Sequence, residues 1–97
     1  MATYIILSSF TDQGIKSIKD TTKRADAVRD SAKKFGVKVS EIYWTLGTYD
    51  VVAIFNAPDD ASITALALSL GSAGNVRTQV LRAFDRDEMK DVLAKLK

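Results

Sequence analysis

The sequence predicts an α+β domain built on a four-stranded antiparallel sheet, in the order β-α-β-β-α-β with one further helix at the end. Three observations carry that expectation. Runs rich in β-branched and aromatic residues alternate with segments whose apolar residues recur at helical spacing. Two of the strand-like runs, residues 37–46 and 49–57, have only Gly47-Thr48 between them. Helix-start chemistry then appears twice, as Pro58-Asp59-Asp60 and as the spacing Asp85-x-x-Glu88.

The elements follow in order. Thr3 to Phe10, TYIILSSF, combines β-branched and aromatic residues and reads as the first strand. Thr11 and Asp12 offer an N-cap and a first-turn acid. Ile15, Ile18, Ala25, Val28, Ala32 and Phe35 then fall in steps of three, four and seven, which lay one apolar stripe on a helix ending at Gly36. Asp20 to Arg24, DTTKR, interrupts the stripe, and Asp20 or Thr21 can recap the chain, so a kink or two consecutive helices is expected there. Gly47-Thr48 suits a type II′ turn, because Gly accepts the positive φ of the first central position, and it predicts a tight antiparallel hairpin. Pro58 is expected as the first helical residue, with the helix running to about Leu70 and stopping at Gly71 or Gly74. Asn75 to Phe84 returns to strand, and the capping box 85–88 opens a last helix bearing Met89, Val92, Leu93 and Leu96. This is the ferredoxin-like split βαβ plan, with the helices on one face of the sheet. The whole chain, residues 1–97, is expected to form one domain.

Which residues share a face follows from strand alternation. If Leu46 pairs with Tyr49, then Ile42, Trp44, Leu46, Tyr49, Val51, Ala53 and Phe55 look toward the helices. The opposite face takes Val37, Val39, Glu41, Tyr43 and Thr45 from one strand and Asp50, Val52, Ile54 and Asn56 from the other. Arg77, Gln79, Leu81 and Ala83 share one side of the last strand, and the first strand is apolar on both sides. The open face is therefore too apolar to remain in water, and the economical cover is a second copy packed sheet against sheet about a two-fold axis.

The composition excludes several kinds of chemistry. The chain has no Cys and no His, which removes disulfides, thiolate zinc sites, cysteine nucleophiles, Ser-His triads and imidazole acid-base catalysis. No metal site and no cofactor are expected. The N-terminal apolar run lacks a basic start and is far shorter than the ~20 residues of a membrane span, so a cytoplasmic location without membrane association is expected. Residues 16–38 hold eight Lys or Arg against three Asp, within a chain whose net charge is only +2. Asp26 and Asp30 break that basic run at helical spacing and no aromatics interleave with it, so it reads as a solvated helix surface rather than a nucleic-acid site. GSAGN at residues 71–75 lacks the Lys-Ser/Thr of a phosphate loop and precedes a strand.

The polar residues of the open face are the candidates for function. Asp50, just after the turn and opposite Thr45, can act as a base if desolvation raises its pKa, or can simply bond the turn or pair with an Arg of a partner subunit. Tyr43 and Glu41 lie on the same face, with Arg77 and Gln79 on the other edge strand, and Arg with Tyr suits a small anion or aromatic acid. An interface salt bridge between Glu41 and Arg77 of two copies is the plainer alternative. Trp44 and Tyr49 are expected in the core.

Gly47-Thr48-Tyr49-Asp50, together with FTDQGIKSIKDTTKRADA, YWTLGTYDVVAIFNAPDD and GSAGNVRTQVLRAF, resembles the GYD domain family of small bacterial and archaeal proteins. The resemblance implies a ferredoxin-like fold of the dimeric α/β-barrel superfamily, and it marks Gly47, Tyr49 and Asp50 as motif positions without assigning them a reaction. The sequence thus supports a homo-oligomeric protein that binds a small molecule at the open sheet face or subunit interface. The alternative is a cofactor-independent, monooxygenase-like enzyme in which Asp50 or Tyr43 moves a proton and Arg77 orients an anionic substrate.

Overall fold

The computed structural model describes residues 1–96. Strand β1 (Ala2–Phe10) leads into a short helix α1 (Asp12–Lys16), a single 3-10 turn (Ile18–Asp20) and helix α2 (Thr21–Lys34). Strands β2 (Lys38–Trp44) and β3 (Val51–Ala57) form the hairpin, followed by α3 (Asp60–Ser72), β4 (Val76–Ala83) and α4 (Arg86–Leu93). The strands pair antiparallel in the order β2-β3-β1-β4, which places β1 and β3 at the centre and β2 and β4 at the edges. The α+β, ferredoxin-like plan with an added C-terminal helix is the one the sequence predicts.

The core lies between one sheet face and helices α2 and α3. Tyr4 and Ile6 of β1, Ala53 and Phe55 of β3, Ala32 of α2, and Ile63, Leu66 and Ala67 of α3 are its buried centre. Helix α3 is apolar nearly all round, but only one stripe of it is buried, and Leu68 stays on the surface. The remaining alanines suit a helix of good helix formers.

Helix ends are settled by local hydrogen bonds. The Thr11 hydroxyl accepts from Gly14 N–H at 3.1 Å and caps α1. Helix α2 ends in a Schellman motif, with Val37 N–H on Ala32 C=O and Gly36 N–H on Lys33 C=O. The Asp85–Glu88 capping box forms in both directions. The expected interruption at DTTKR is the 3-10 turn, although neither predicted cap is used: Asp20 makes no side-chain cap bond, and the Thr21 hydroxyl accepts from Trp44 instead. Pro58 is not the first helical residue. Asp59 caps α3 by accepting from Ser62 N–H at 2.8 Å, so the helix opens at Asp60.

Two details change the predicted faces. Strand β2 bulges between Val39 and Glu41, so Val39 pairs with Phe55 and joins it in the core. Alternation without the bulge put Val37 and Val39 on the open face, yet both are buried. At the hairpin end, the register of Trp44 with Val51 is the predicted one, but the regular ladder stops there and closes with Thr45 N–H on Asp50 C=O at 2.9 Å. Residues 46–49 form a wider loop than a two-residue turn. Gly47 has φ +106, the positive value expected of it, and Leu46 projects fully into solvent rather than toward the helices.

Candidate functional site

The GYD hairpin joins three strands through Asp50. Strand β1 pairs regularly with β3 only as far as Ser8 and Val51. Beyond that point Asp50 takes over, donating its N–H to Ser8 C=O at 2.9 Å and accepting from Phe10 N–H through Oδ2 at 2.8 Å. Its own C=O accepts from Thr45. The Asp50 carboxylate thus satisfies a main-chain donor that the ladder would leave bare, a charge-assisted bond of the stronger kind. Any proton transfer at Asp50 would compete with that bond.

Tyr49 does not enter the core. Its hydroxyl donates to Gln79 Oε1 at 2.8 Å, and Gln79 pairs with Leu7 on the face away from the helices. The Tyr49 side chain therefore reaches across the hairpin end to β4 on the open side. The Thr45 hydroxyl donates to the Tyr49 carbonyl at 2.6 Å and holds the loop from beneath.

The open face is organised in cross-strand rows. Tyr43, Val52, Leu7 and Gln79 form one row, and Glu41, Ile54, Ile5 and Leu81 the next. Tyr43 and Gln79 are thus separated by three strand spacings, about 14 Å at roughly 4.8 Å each. The six predicted ligand-binding residues divide into two groups within one chain: Glu41, Tyr43 and Thr45 along the β2 edge, and Arg77 and Gln79 along β4, with Asp50 bonded into the hairpin. Between them runs an apolar strip of Ile5, Leu7, Val52 and Ile54, none of which the chain buries fully.

The helix-facing side holds a cavity that no pattern in the sequence announces. A chamber of about 80 Å³ lies between α2 and the sheet, walled by Ile6, Val28, Ile42, Ala53 and Phe55, and a second of about 240 Å³ adjoins it between α2 and α3. Arg24, Val28, Leu70 and Val76 line both. Trp44, expected in the core, is 45 % exposed and stands at the cavity rim, its indole N–H donating to Thr21 Oγ1 at 3.0 Å. Arg24, grouped by sequence with a solvated basic surface, turns inward. Its Nη1 donates to Ser17 C=O at 2.8 Å and Ser17 Oγ at 2.9 Å, its Nη2 donates to Gly14 C=O at 3.2 Å, and its guanidinium lies 6.0 Å from the centre of the Phe10 ring. The signal was present: Arg24 stands four residues before Val28, on the apolar face of α2.

Other charged groups serve the scaffold. Arg82 pairs with Glu88 at 3.0 Å and stacks on Phe84 and Tyr4, tying α4 to the end of the sheet. That pairing holds the Glu88 carboxyl below its usual range, with help from the Asp85 N–H. The Tyr4 hydroxyl bonds the Asp60 carboxylate, which raises the phenol above its usual pKa. Helix α4 buries none of its residues, and Met89, Val92, Leu93 and the following Leu96 all remain exposed. Among the described residues no three of His, Cys, Asp and Glu gather to hold a metal ion, and no helix is long and apolar enough to cross a membrane.

A protein of Thermus thermophilus named "Glutamine synthetase and cystathionine beta-lyase binding protein" is 36% identical over 98 residues, covering 100% of both chains. The crystal structure of TTHA0845 from the same organism superposes with a TM-score of 0.57 over 88% of this chain and 95% of that one, at 24% identity, and so supports the fold. The model of the GYD domain matches residues 4–93, which span the central strand, the Asp50 bracket and the C-terminal helix. With its motif placed where three strands are tied together, the chain belongs to the GYD domain family.

Proposed function

We propose that this protein is a non-enzymatic binding module that pairs with a second copy through the open face of its sheet and, as that assembly, docks onto other proteins. The observation that carries the reading is the half-buried apolar strip Ile5, Leu7, Val52 and Ile54, set between polar edges. An apolar strip rimmed by polar residues is the mark of a protein–protein contact surface. Sheet-against-sheet pairing about a two-fold axis covers it, and it brings the β2-edge residues Glu41 and Tyr43 of one copy toward Arg77 and Gln79 of the other.

A role toward protein partners is supported by the name of the Thermus relative, which is described as binding glutamine synthetase and cystathionine beta-lyase. The exposed apolar residues of α4 and Leu46 at the hairpin tip offer contact surfaces outside the proposed pairing face. The binding reading is preferred to the enzymatic one because the Asp50 carboxylate accepts from Phe10 N–H and is engaged on the main chain.

The test is native mass spectrometry and light scattering of the purified protein, followed by capture assays with purified glutamine synthetase and cystathionine beta-lyase. A dimer or a larger even assembly is expected, and Leu7→Glu, at the middle of the open face, is expected to yield a folded monomer with weakened capture. A wild-type monomer at micromolar concentration would overturn the pairing. Dimers that capture neither enzyme would overturn the partner assignment while leaving the pairing in place.

A further inference from the structure

We infer that the cavity beneath α2 is a binding site for a small apolar monocarboxylic acid, with Arg24 holding the carboxylate and the chamber holding the chain or ring. Shape comes first. The two chambers share Arg24, Val28, Leu70 and Val76, and together they reach the low end of small-ligand sites, roughly 300 Å³. The walls of the inner chamber are almost wholly aliphatic and aromatic, and its polar groups are confined to Ser8, Thr21 and Arg24. That combination of an apolar chamber with a few convergent polar groups is the pattern of a small-molecule site.

Charge then selects the ligand. The Arg24 guanidinium has five donors. Three are committed: two on Nη1 to the carbonyl and hydroxyl of Ser17, and one on Nη2 to the Gly14 carbonyl. Among the described residues Nε and the remaining Nη2 hydrogen have no acceptor, and no carboxylate pairs with Arg24, since the ion pair formed is Arg82 with Glu88. The three bonds to Ser17 and Gly14 fix one side of the guanidinium, which lies over the Phe10 ring, so it is pre-organised rather than waving in solvent. A carboxylate is the group that takes two donors from one guanidinium in a bidentate pair. A neutral alcohol or amide of the same size leaves the charge uncompensated.

The site lies on the opposite side of the sheet from the proposed pairing face, so the inference does not rest on that reading. Trp44, the chain's single Trp, stands at the rim and provides a direct signal.

The test is a titration of Trp44 fluorescence on the full-length protein with octanoate and phenylacetate, using octanol and benzyl alcohol as uncharged controls, with amide chemical shifts to locate the site. Saturable binding of at least one acid is expected, with shifts centred on Thr21, Ala25 and Val28, and the alcohols weaker by about ten- to a hundredfold. Arg24→Gln is expected to lose the same factor. Because Arg24 also ties down Gly14 and Ser17, its removal can loosen α1, and a second variant guards against that outcome: Ala25→Leu fills the chamber, leaves Arg24 in place and is expected to abolish binding. Absence of saturable binding by both acids, equal binding of acid and alcohol, shifts centred elsewhere, or undiminished binding by Ala25→Leu would each overturn the assignment.

Discussion

Removing the Asp50 carboxylate is expected to destabilise the fold because it leaves the Phe10 N–H without its partner. The bond is 2.8 Å long, charge-assisted and partly buried, and Asp50 makes it at the point where regular β1–β3 pairing has ended. A donor left unsatisfied in such a place costs about 1–3 kcal/mol, and partial exposure sets the expectation near ~2 kcal/mol. In a chain of this length each kcal/mol moves the melting temperature by roughly 4–8 °C, so Asp50→Ala should melt about 8–16 °C lower. Asp50→Asn keeps an oxygen acceptor in the same position and loses only the charge assistance, so it should recover more than half of that difference. The assay is thermal unfolding followed by circular dichroism at fixed protein concentration, because an oligomer melts in a concentration-dependent way. A melting temperature for Asp50→Ala within a degree or two of wild type would show that water or a relaxed loop satisfies Phe10. It would return Asp50 to the status of a free carboxylate available for chemistry.

Two further outcomes follow from the scaffold. A Cβ added at Gly14 would stand 2.1 Å from the Asn75 carbonyl oxygen, at the junction where Thr11 N–H also bonds Asn75 and the Thr11 hydroxyl bonds Gly74. Backbone must shift to admit it, so Gly14→Ala should cost on the order of 1–3 kcal/mol in denaturant unfolding, whereas an unchanged midpoint would mean that the junction is loose. On acidification, the Ser62 hydroxyl and N–H hold Asp59 below its ordinary 3.8, and Arg82 with the Asp85 N–H holds Glu88 below 4.5. Both native pKa values lie below the unfolded ones, so the folded state binds fewer protons, and the stabilisation is present above the unfolded values of 4.5 and 3.8 and is lost as pH falls below them through the depressed native values. Hydrogen exchange at the first turns of α3 and α4 should therefore quicken in that window. Glu88→Gln should remove most of the pH dependence at α4 only.

Much of this protein is legible in the chain because its information is local. Helical spacing, the Thr11 cap, Gly36, the Asp85–Glu88 box and the positive φ of Gly47 each depend on neighbours a few residues away. The strand order followed once the elements were placed, since short connections leave few antiparallel arrangements for β-α-β-β-α-β. Even the hairpin register was correct as far as Glu41 paired with Ile54.

What tertiary structure alone decided begins where a backbone bond reaches across the chain. The bulge after Val39 turned Val37 and Val39 into the core, and no alternation within β2 announces it, because the extra residue is defined only against β3. Tyr49 left the core for Gln79, thirty residues away, and Asp50 found its partner in Phe10, forty residues back. Glu41 and Tyr43 stand on one edge of the sheet and Arg77 and Gln79 on the other, as expected, with two strands between them, so only a second copy can bring the two groups together. The Arg24 cavity required α2, α3 and the sheet together, since a void is a property of surfaces that meet and has no residue pattern of its own. Sequence determined which elements form; the contacts between elements decided which way Val37, Val39 and Trp44 face and where Asp50, Tyr49 and Arg24 do their work, because their partners exist only after the chain has folded.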